Sequence, residues 1–101
     1  MITRLWHGYT RPEDADTYQE MLLRTILPGI HRIAGYRGSY VLRKDSDDEV
    51  EFITLTFWES MDAIRAFAGP SLTKAVIVPE AEKLLTRYDE RSTHYTSFRS
   101  D

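Results

Sequence analysis

The sequence predicts an α+β fold in which helices cover one face of an antiparallel sheet. Three observations predict it. Stretches of alternating β-branched and aromatic residues are separated by stretches whose apolar residues recur every three or four positions. Proline and glycine lie at most of the boundaries between them. The order of the stretches along the chain is β-α-β-β-α-β, which is the ferredoxin-like arrangement.

The first half of the chain supplies two strands and one helix. Residues Ile2–Tyr9 are rich in β-branched and aromatic residues and predict a strand. Pro12 suits the first turn of the helix that follows, and its acidic neighbours complement the helix dipole. The apolar period then predicts a helix that ends near Pro28 and Gly29. The second strand is predicted over Tyr36–Lys44, and the charged segment 45–49 is predicted to be a solvated hairpin tip.

The second half repeats the pattern with a shorter helix. The third strand is predicted over Val50–Trp58, and Ser60 is a suitable N-cap for the helix after it. Gly69 and Pro70 end that helix, whose apolar stripe comprises Met61, Ile64, Phe67 and Ala68. Residues 71–78 have no clear pattern. A short helix is predicted over Pro79–Leu85, and a last strand over Arg87–Thr96 at the edge of a four-stranded antiparallel sheet.

Length and composition narrow the class of protein. The 101 residues predict one domain, over 1–101. The chain has 0 cysteines, which excludes a disulfide scaffold and thiolate chemistry. A net charge of −3 without a basic run predicts no nucleic-acid partner. Neither a signal peptide nor a run of about 20 apolar residues is present, so we expect no membrane span and a cytoplasmic protein.

The strands carry large apolar residues on both faces. In the third strand Ile53, Leu55 and Phe57 alternate with Phe52 and other residues of the opposite face. Two helices can cover only one face of a four-stranded sheet. Because monomers rarely leave a large apolar patch in water, we expect a homodimer that packs sheet against sheet.

Two longer motifs carry a family resemblance. They are "IAGYRGSYVLRK" at the second strand and "TLTFWESMDAIRAFAG" across the third strand and second helix, and a late "HY" accompanies them. Over residues 2–96 the chain resembles the antibiotic biosynthesis monooxygenase family of the dimeric α+β barrel superfamily. The resemblance implies a homodimer with a pocket between sheet and helices. One branch of the family oxidises polycyclic phenols with O₂ and no cofactor, and another degrades haem.

The branches place particular residues in their sites. The haem branch would call for an Asn on the first strand, a Trp late in the second helix and a His beyond it. Here those positions fall on Trp6 or His7, on Phe67, and on Ile77 or Val78. The cofactor-free branch also tends to use an Asn, and this sequence contains none. The fold, the dimer and the pocket are what the resemblance carries over.

Cofactor-free oxidation needs a base that ionises a phenol or enol, and histidine is the natural candidate. The chain has 3 histidines, His7, His31 and His94, without metal-ligand spacing, so no metal site is predicted. We predict His7 as the catalytic base because its strand should be central. His94 lies on the neighbouring strand and could approach it. The alternatives are a structural role for either residue and a surface or C-capping role for His31.

Aromatic residues are the candidates for a substrate pocket. Trp58, at a strand end, has a core or interface role as its alternative, and Phe67 has a core role as its alternative. The predicted substrate-binding residues are Trp6, Tyr40, Trp58, Phe67, Tyr88 and His94.

Three functions follow for this pocket. The first is a cofactor-independent monooxygenase that acts on a small aromatic or polycyclic phenol, or a related isomerising or cyclising enzyme. The second is a non-catalytic dimer that binds a hydrophobic or haem-like molecule. The third is an accessory subunit. An apolar pocket with converging polar groups would favour the enzyme, a deep dry pocket the binder, and a filled core the accessory subunit.

Overall fold

A computed structural model describes residues 1–101. Five strands form one antiparallel sheet: β1 (Ile2–Thr10), β2 (Tyr36–Asp45), β3 (Val50–Trp58), β4 (Leu85–Tyr88) and β5 (Thr93–Thr96). The order across the sheet is β2-β3-β1-β4, and β5 pairs with the other half of the edge of β1. The α+β fold and its ferredoxin-like order are therefore confirmed.

The first helical region is one irregular rod. It contains α1 (Ala15–Met21), a wider π-helical turn (Leu22–Ile26) and α2 (Leu27–Ile30). Pro28 lacks an N–H, and its ring would crowd the carbonyl four residues earlier in a regular helix. The wider turn before Pro28 accommodates this conflict, and the rod ends at Ile30.

Two shorter helices follow in the second half of the chain. The first, α3 (Met61–Ala68), begins where the Ser60 hydroxyl accepts a hydrogen bond from the backbone N–H of Ala63 at 3.2 Å, as an N-cap should. Gly69 ends it at a φ of 80°. The second, α4 (Pro79–Glu82), is a single turn. No helix is both long enough and apolar enough to cross a membrane.

The helices cover one face of the sheet, which we call the inner face. Two groups of buried side chains form the core there. One group joins α1 to the start of β3 and to α4, and the other joins α2 and α3 to the end of β3. The buried members are Ala15, Tyr18, Leu22, Val50, Phe52 and Ala81 in the first group, and Leu27, Ile30, Trp58 and Ile64 in the second.

The opposite face of the sheet carries no helix, and we call it the open face. The register places Leu5 opposite Leu55 and Leu55 opposite Tyr40 on this side. Tyr40 is 66% exposed and Leu42 is 45% exposed. The predicted apolar pattern on both faces of the strands is thus present.

The prediction of one last strand over Arg87–Thr96 is wrong. The structure has two short strands there, so the sheet has five strands and not four. The break falls at Asp89, whose carboxylate accepts the backbone N–H of His7 at 3.1 Å in place of a strand carbonyl. The segment after it pairs instead with residues 69–78, through Ala75 N–H to Glu90 O (3.0 Å) and Ser92 N–H to Thr73 O (2.6 Å).

Candidate functional site

A cavity lies between the inner face and the helices. Its inner part, the chamber, has a volume of about 70 Å³, and most of its lining is apolar. The chamber adjoins a larger apolar groove of about 540 Å³ between the first helical rod and residues 76–80. Five residues line both spaces and form the boundary between them: Ile26, Ile30, Phe67, Val76 and Val78.

The wall on the helix side comes from the irregular rod. The π-helical turn and α2 contribute Leu22, Ile26 and Leu27 to the chamber. A π-helical turn changes the angular spacing of side chains along a helix, and such turns are frequent at functional sites. Gly29 lines the groove, and a Cβ atom built there would meet nothing within 4 Å. The structure therefore has room for a side chain at position 29.

Trp6 forms part of the sheet side of the chamber and is held from two directions. Its indole Nε1–H donates to the backbone carbonyl of Asp89 at 2.7 Å. Its ring lies directly over Gly8, where an added Cβ would be 2.7 Å from Trp6 Cη2. Only glycine allows the indole so close to the strand. The position of Trp6 thus depends on Gly8 and on the break between β4 and β5.

Arg4 brings a positive charge to the chamber wall, although its side chain is almost fully buried, with 4% exposure. Its Nη1 donates to the carbonyl of Leu72 (2.6 Å) and to His94 Nε2 (2.7 Å), and its Nη2 donates to the carbonyl of Lys74 (2.9 Å). Its guanidinium carbon lies 5.7 Å from the centre of the Phe67 ring. Burial lowers the pKa of Arg4 to about 10, so it stays charged at neutral pH.

His94 is the imidazole beside Arg4. Since a guanidinium can only donate, His94 Nε2 is the acceptor in the 2.7 Å contact, and the ring is neutral with its proton on Nδ1. Burial and then the charge of Arg4 lower the pKa of His94. The pair is therefore a cation next to an uncharged base on the inner side of the sheet.

Thr54 adds a polar group to the chamber. It is paired with Trp6 on the neighbouring strand, and both side chains line the chamber. Thr54 Oγ1 is the one fully buried side-chain oxygen or nitrogen atom without a hydrogen-bond partner. An unpaired buried hydroxyl is unfavourable and needs an explanation.

The structure places the predicted substrate-binding residues in several different parts of the molecule. Trp6 and Phe67 line the chamber. Trp58 is fully buried, stacks on Phe67 with ring centres 5.6 Å apart, and belongs to the core behind the chamber. His94 contacts the chamber through Arg4. Tyr88 lies beyond Trp6, and its hydroxyl donates to Glu82 at 3.0 Å.

His7 and Tyr40 lie on the open face, away from the chamber. The register places His7 opposite Ile53, and the His7 ring contacts Asp89 through Nδ1 and Oδ2 at 2.6 Å. The distance of His7 from the inner face follows from strand alternation, because Trp6 and Gly8 point inward. A catalytic role for His7 therefore requires a site on the open face, and His7 and His94 do not share one.

Arg4 and Thr54 were not predicted as site residues. Strand alternation places Arg4 on the same face as Ile2 and Trp6, and a charged residue on that face was the available signal. Nothing in the sequence marks Thr54, because its missing partner depends on the packing of residues far away in the chain. No group of three or more His, Cys, Asp or Glu side chains is placed to hold a metal ion.

The fold and the cavity together define a ferredoxin-like α+β protein with an apolar cavity between sheet and helices. The family model for antibiotic biosynthesis monooxygenase matches residues 1–76. The chain belongs to this family. A search of curated protein sequences gives no match.

Solved structures show the same fold at low sequence identity. The cofactor-independent oxygenase SnoaB from Streptomyces nogalater is similar with a TM-score of 0.64 and 20% identity, over 98% of this chain and 95% of that chain. The haem degrader MhuD from Mycobacterium tuberculosis, with two haems bound, has a TM-score of 0.63 and 19% identity, over 100% and 99%. An antibiotic biosynthesis monooxygenase has a TM-score of 0.68 and 14% identity, over 98% and 100%.

Proposed function

We propose that this protein binds a small aromatic or polycyclic phenol in the chamber and groove and oxidises it with O₂ without a cofactor. The observation that carries the proposal is the apolar chamber that adjoins the groove and contains a few inward polar groups. This combination is typical of small-molecule sites. Family membership and the similarity to a cofactor-independent oxygenase support the reaction type.

The reaction draws all its electrons from the substrate. For an anthrone, loss of a proton gives a carbanion or enolate that can transfer an electron to O₂. The ring CH₂ becomes a carbonyl, one oxygen atom enters that carbonyl, and the other leaves as water. The protein would exclude bulk water and orient the ring, and a base would accept the proton.

His94 is the base that we assign to the inner face. It is neutral, and its Nε2, which accepts a hydrogen bond from Arg4 Nη1, would take the substrate proton once a developing oxyanion draws the Arg4 guanidinium away from it. His7, paired with Asp89, is the base that a site on the open face would use. General-base loss typically costs about 10²–10⁴-fold in rate. The effects of replacing His94 and His7 on the oxidation rate would thus show which face of the sheet carries the reaction.

An oxygen electrode tests this proposal. The purified protein, with EDTA present and no flavin, haem or metal added, is given anthrone and a panel of polycyclic phenols. We expect O₂ uptake above the buffer rate, a loss of at least about 100-fold in His94→Gln, and a rate within about twofold of native in His7→Gln. Loss in His7→Gln alone would move the site to the open face. No uptake on any substrate would contradict the oxygenase proposal.

Binding without catalysis is the second candidate. The observation that favours it is that no histidine lines the chamber or the groove. A hydrophobic or haem-like molecule would then be held mainly by aliphatic side chains, with no imidazole ligand for an iron. Saturable binding of such a molecule together with the absence of O₂ uptake would support this function.

A homodimer is part of the proposal. The open face exposes Tyr40, Leu42 and Tyr95 by 66%, 45% and 53%, and the half-buried Leu55 and Phe57 lie beside them. A second copy packed on this face would remove this patch from water. The chamber is on the other side of the sheet, so each protomer would keep its own cavity.

A further inference from the structure

We propose that Arg4 selects the ligand by charge, and that the cavity takes aromatic molecules as their anions, with a phenolate, enolate or carboxylate oxygen at Arg4. This inference rests on the proposed small-molecule site and names the class of molecule that the site accepts.

Arg4 is a buried cation without an anion. It is 4% exposed, and no carboxylate lies within salt-bridge distance of it, although six of the nine other arginines have one. Buried charges are usually paired because desolvation of an isolated charge is costly. The three groups to which Arg4 donates hydrogen bonds, two carbonyls and a neutral imidazole, carry no charge. A negatively charged ligand would supply the counter-ion that Arg4 lacks.

Arg4 also keeps donors free. A guanidinium has five N–H groups, and three are used by the contacts to Leu72, Lys74 and His94. The Nε–H of Arg4 has no hydrogen-bond partner. Arg4 Nε is also not fully buried, because the only fully buried side-chain nitrogen or oxygen without a partner is Oγ1 of Thr54. Both residues line the chamber. An oxygen anion there would find unused donors from Arg4 and from Thr54.

The dimensions of the cavity indicate how a ring and an acidic group would divide between its two parts. The chamber volume of about 70 Å³ is below the roughly 150 Å³ of a protein cavity that holds benzene. The groove, at about 540 Å³, is large enough for fused rings, but Arg4 does not line it. A ligand that reaches Arg4 would therefore place its ring in the groove and its acidic group in the chamber.

A structural role for Arg4 is the competing explanation. Its contacts to the Leu72 and Lys74 carbonyls hold residues 69–78 over the chamber. Such a role requires donors but no preference among ligands. The two explanations therefore differ in what they predict for two ligands of the same shape and different charge.

The test compares the binding of 2-naphthoate and of 2-naphthamide, with both affinities measured by calorimetry. We expect native protein to bind 2-naphthoate at least about tenfold more tightly than the amide. Arg4→Met should remove the preference, and Arg4→Lys, which keeps the charge and some donors, should keep part of it. Arg65→Met removes an exposed cation from the outer side of α3 and should leave the preference unchanged.

Each outcome decides between the explanations. Equal affinity of native protein for the two ligands would refute charge selection even if Arg4→Met does not fold, and would leave the small-molecule site standing. A preference that survives in folded Arg4→Met would refute the role of Arg4. Failure of native protein to bind either ligand would contradict both this inference and the proposed site.

Discussion

Phe67 is predicted to behave as a cavity wall and not as a core residue. One side of its ring stacks on Trp58, while the residue lines both the chamber and the groove. Full burial of a Phe side chain contributes about 1.5–3 kcal/mol, and an aromatic pair adds about 0.5–1.5 kcal/mol. Because Phe67 is only half-buried and its removal enlarges an existing space, we expect Phe67→Ala to cost about 2 kcal/mol.

Ile64 supplies the matched control, one turn earlier on α3. It is fully buried, so Ile64→Ala should leave a closed void and cost roughly 3–4 kcal/mol, within the usual range for such truncations. Urea unfolding measures both variants, and calorimetry with 2-naphthoate measures binding. We expect Phe67→Ala to weaken binding and Ile64→Ala to leave it nearly unchanged. The reasoning is refuted if Phe67→Ala costs as much as Ile64→Ala and binding is unaffected.

Two further predictions concern pH and assembly. The lowered pKa of His94 means that the folded state binds this proton less readily than the unfolded chain, so stability should fall as pH drops below about 6.5. The urea midpoint of His94→Gln should fall less than that of the native protein over that range. A pH profile of His94→Gln identical to the native one would contradict a lowered pKa of His94 as the cause. Sedimentation equilibrium should give about twice 11.8 kDa for the native chain. Leu55→Asp should give monomer and the exposed-helix control Leu23→Asp should not; a native monomer at micromolar concentration would contradict the dimer.

The fold could be predicted because its signals are local. Alternation identifies β1 and β3, and the Ser60 cap with the Gly69 stop gives the bounds of α3 as the structure has them. The division of the last strand could not be predicted in this way. It depends on a contact between Asp89 and His7, which are far apart in sequence and carry no local pattern.

The candidate site was less predictable than the fold for the same reason. Aromatic residues drew attention to Trp6 and Phe67, and both line the chamber. The histidine predicted as base, His7, lies on the open face and not on the side of the chamber. The sequence could not show this, because residue type alone does not tell which side of a sheet carries a cavity. Thr54 could be found only from the missing hydrogen-bond partner in three dimensions. The charge of Arg4 on the inward face of β1 was a signal in the sequence, but the absence of an anion beside it is seen only in the structure.

The central claim is that aromatic oxidation takes place in the cavity, and Gly29 allows a direct test. Gly29 lines the groove and has open space beside its Cα, so Gly29→Phe should fill the groove while the helix gains a better helix former. Gly29→Ala is the matched control, since a methyl group is too small to fill the groove. Oxygen uptake with anthrone should be native-like in Gly29→Ala and lost in a folded Gly29→Phe. Uptake that continues at the native rate in Gly29→Phe would contradict a reaction in this cavity.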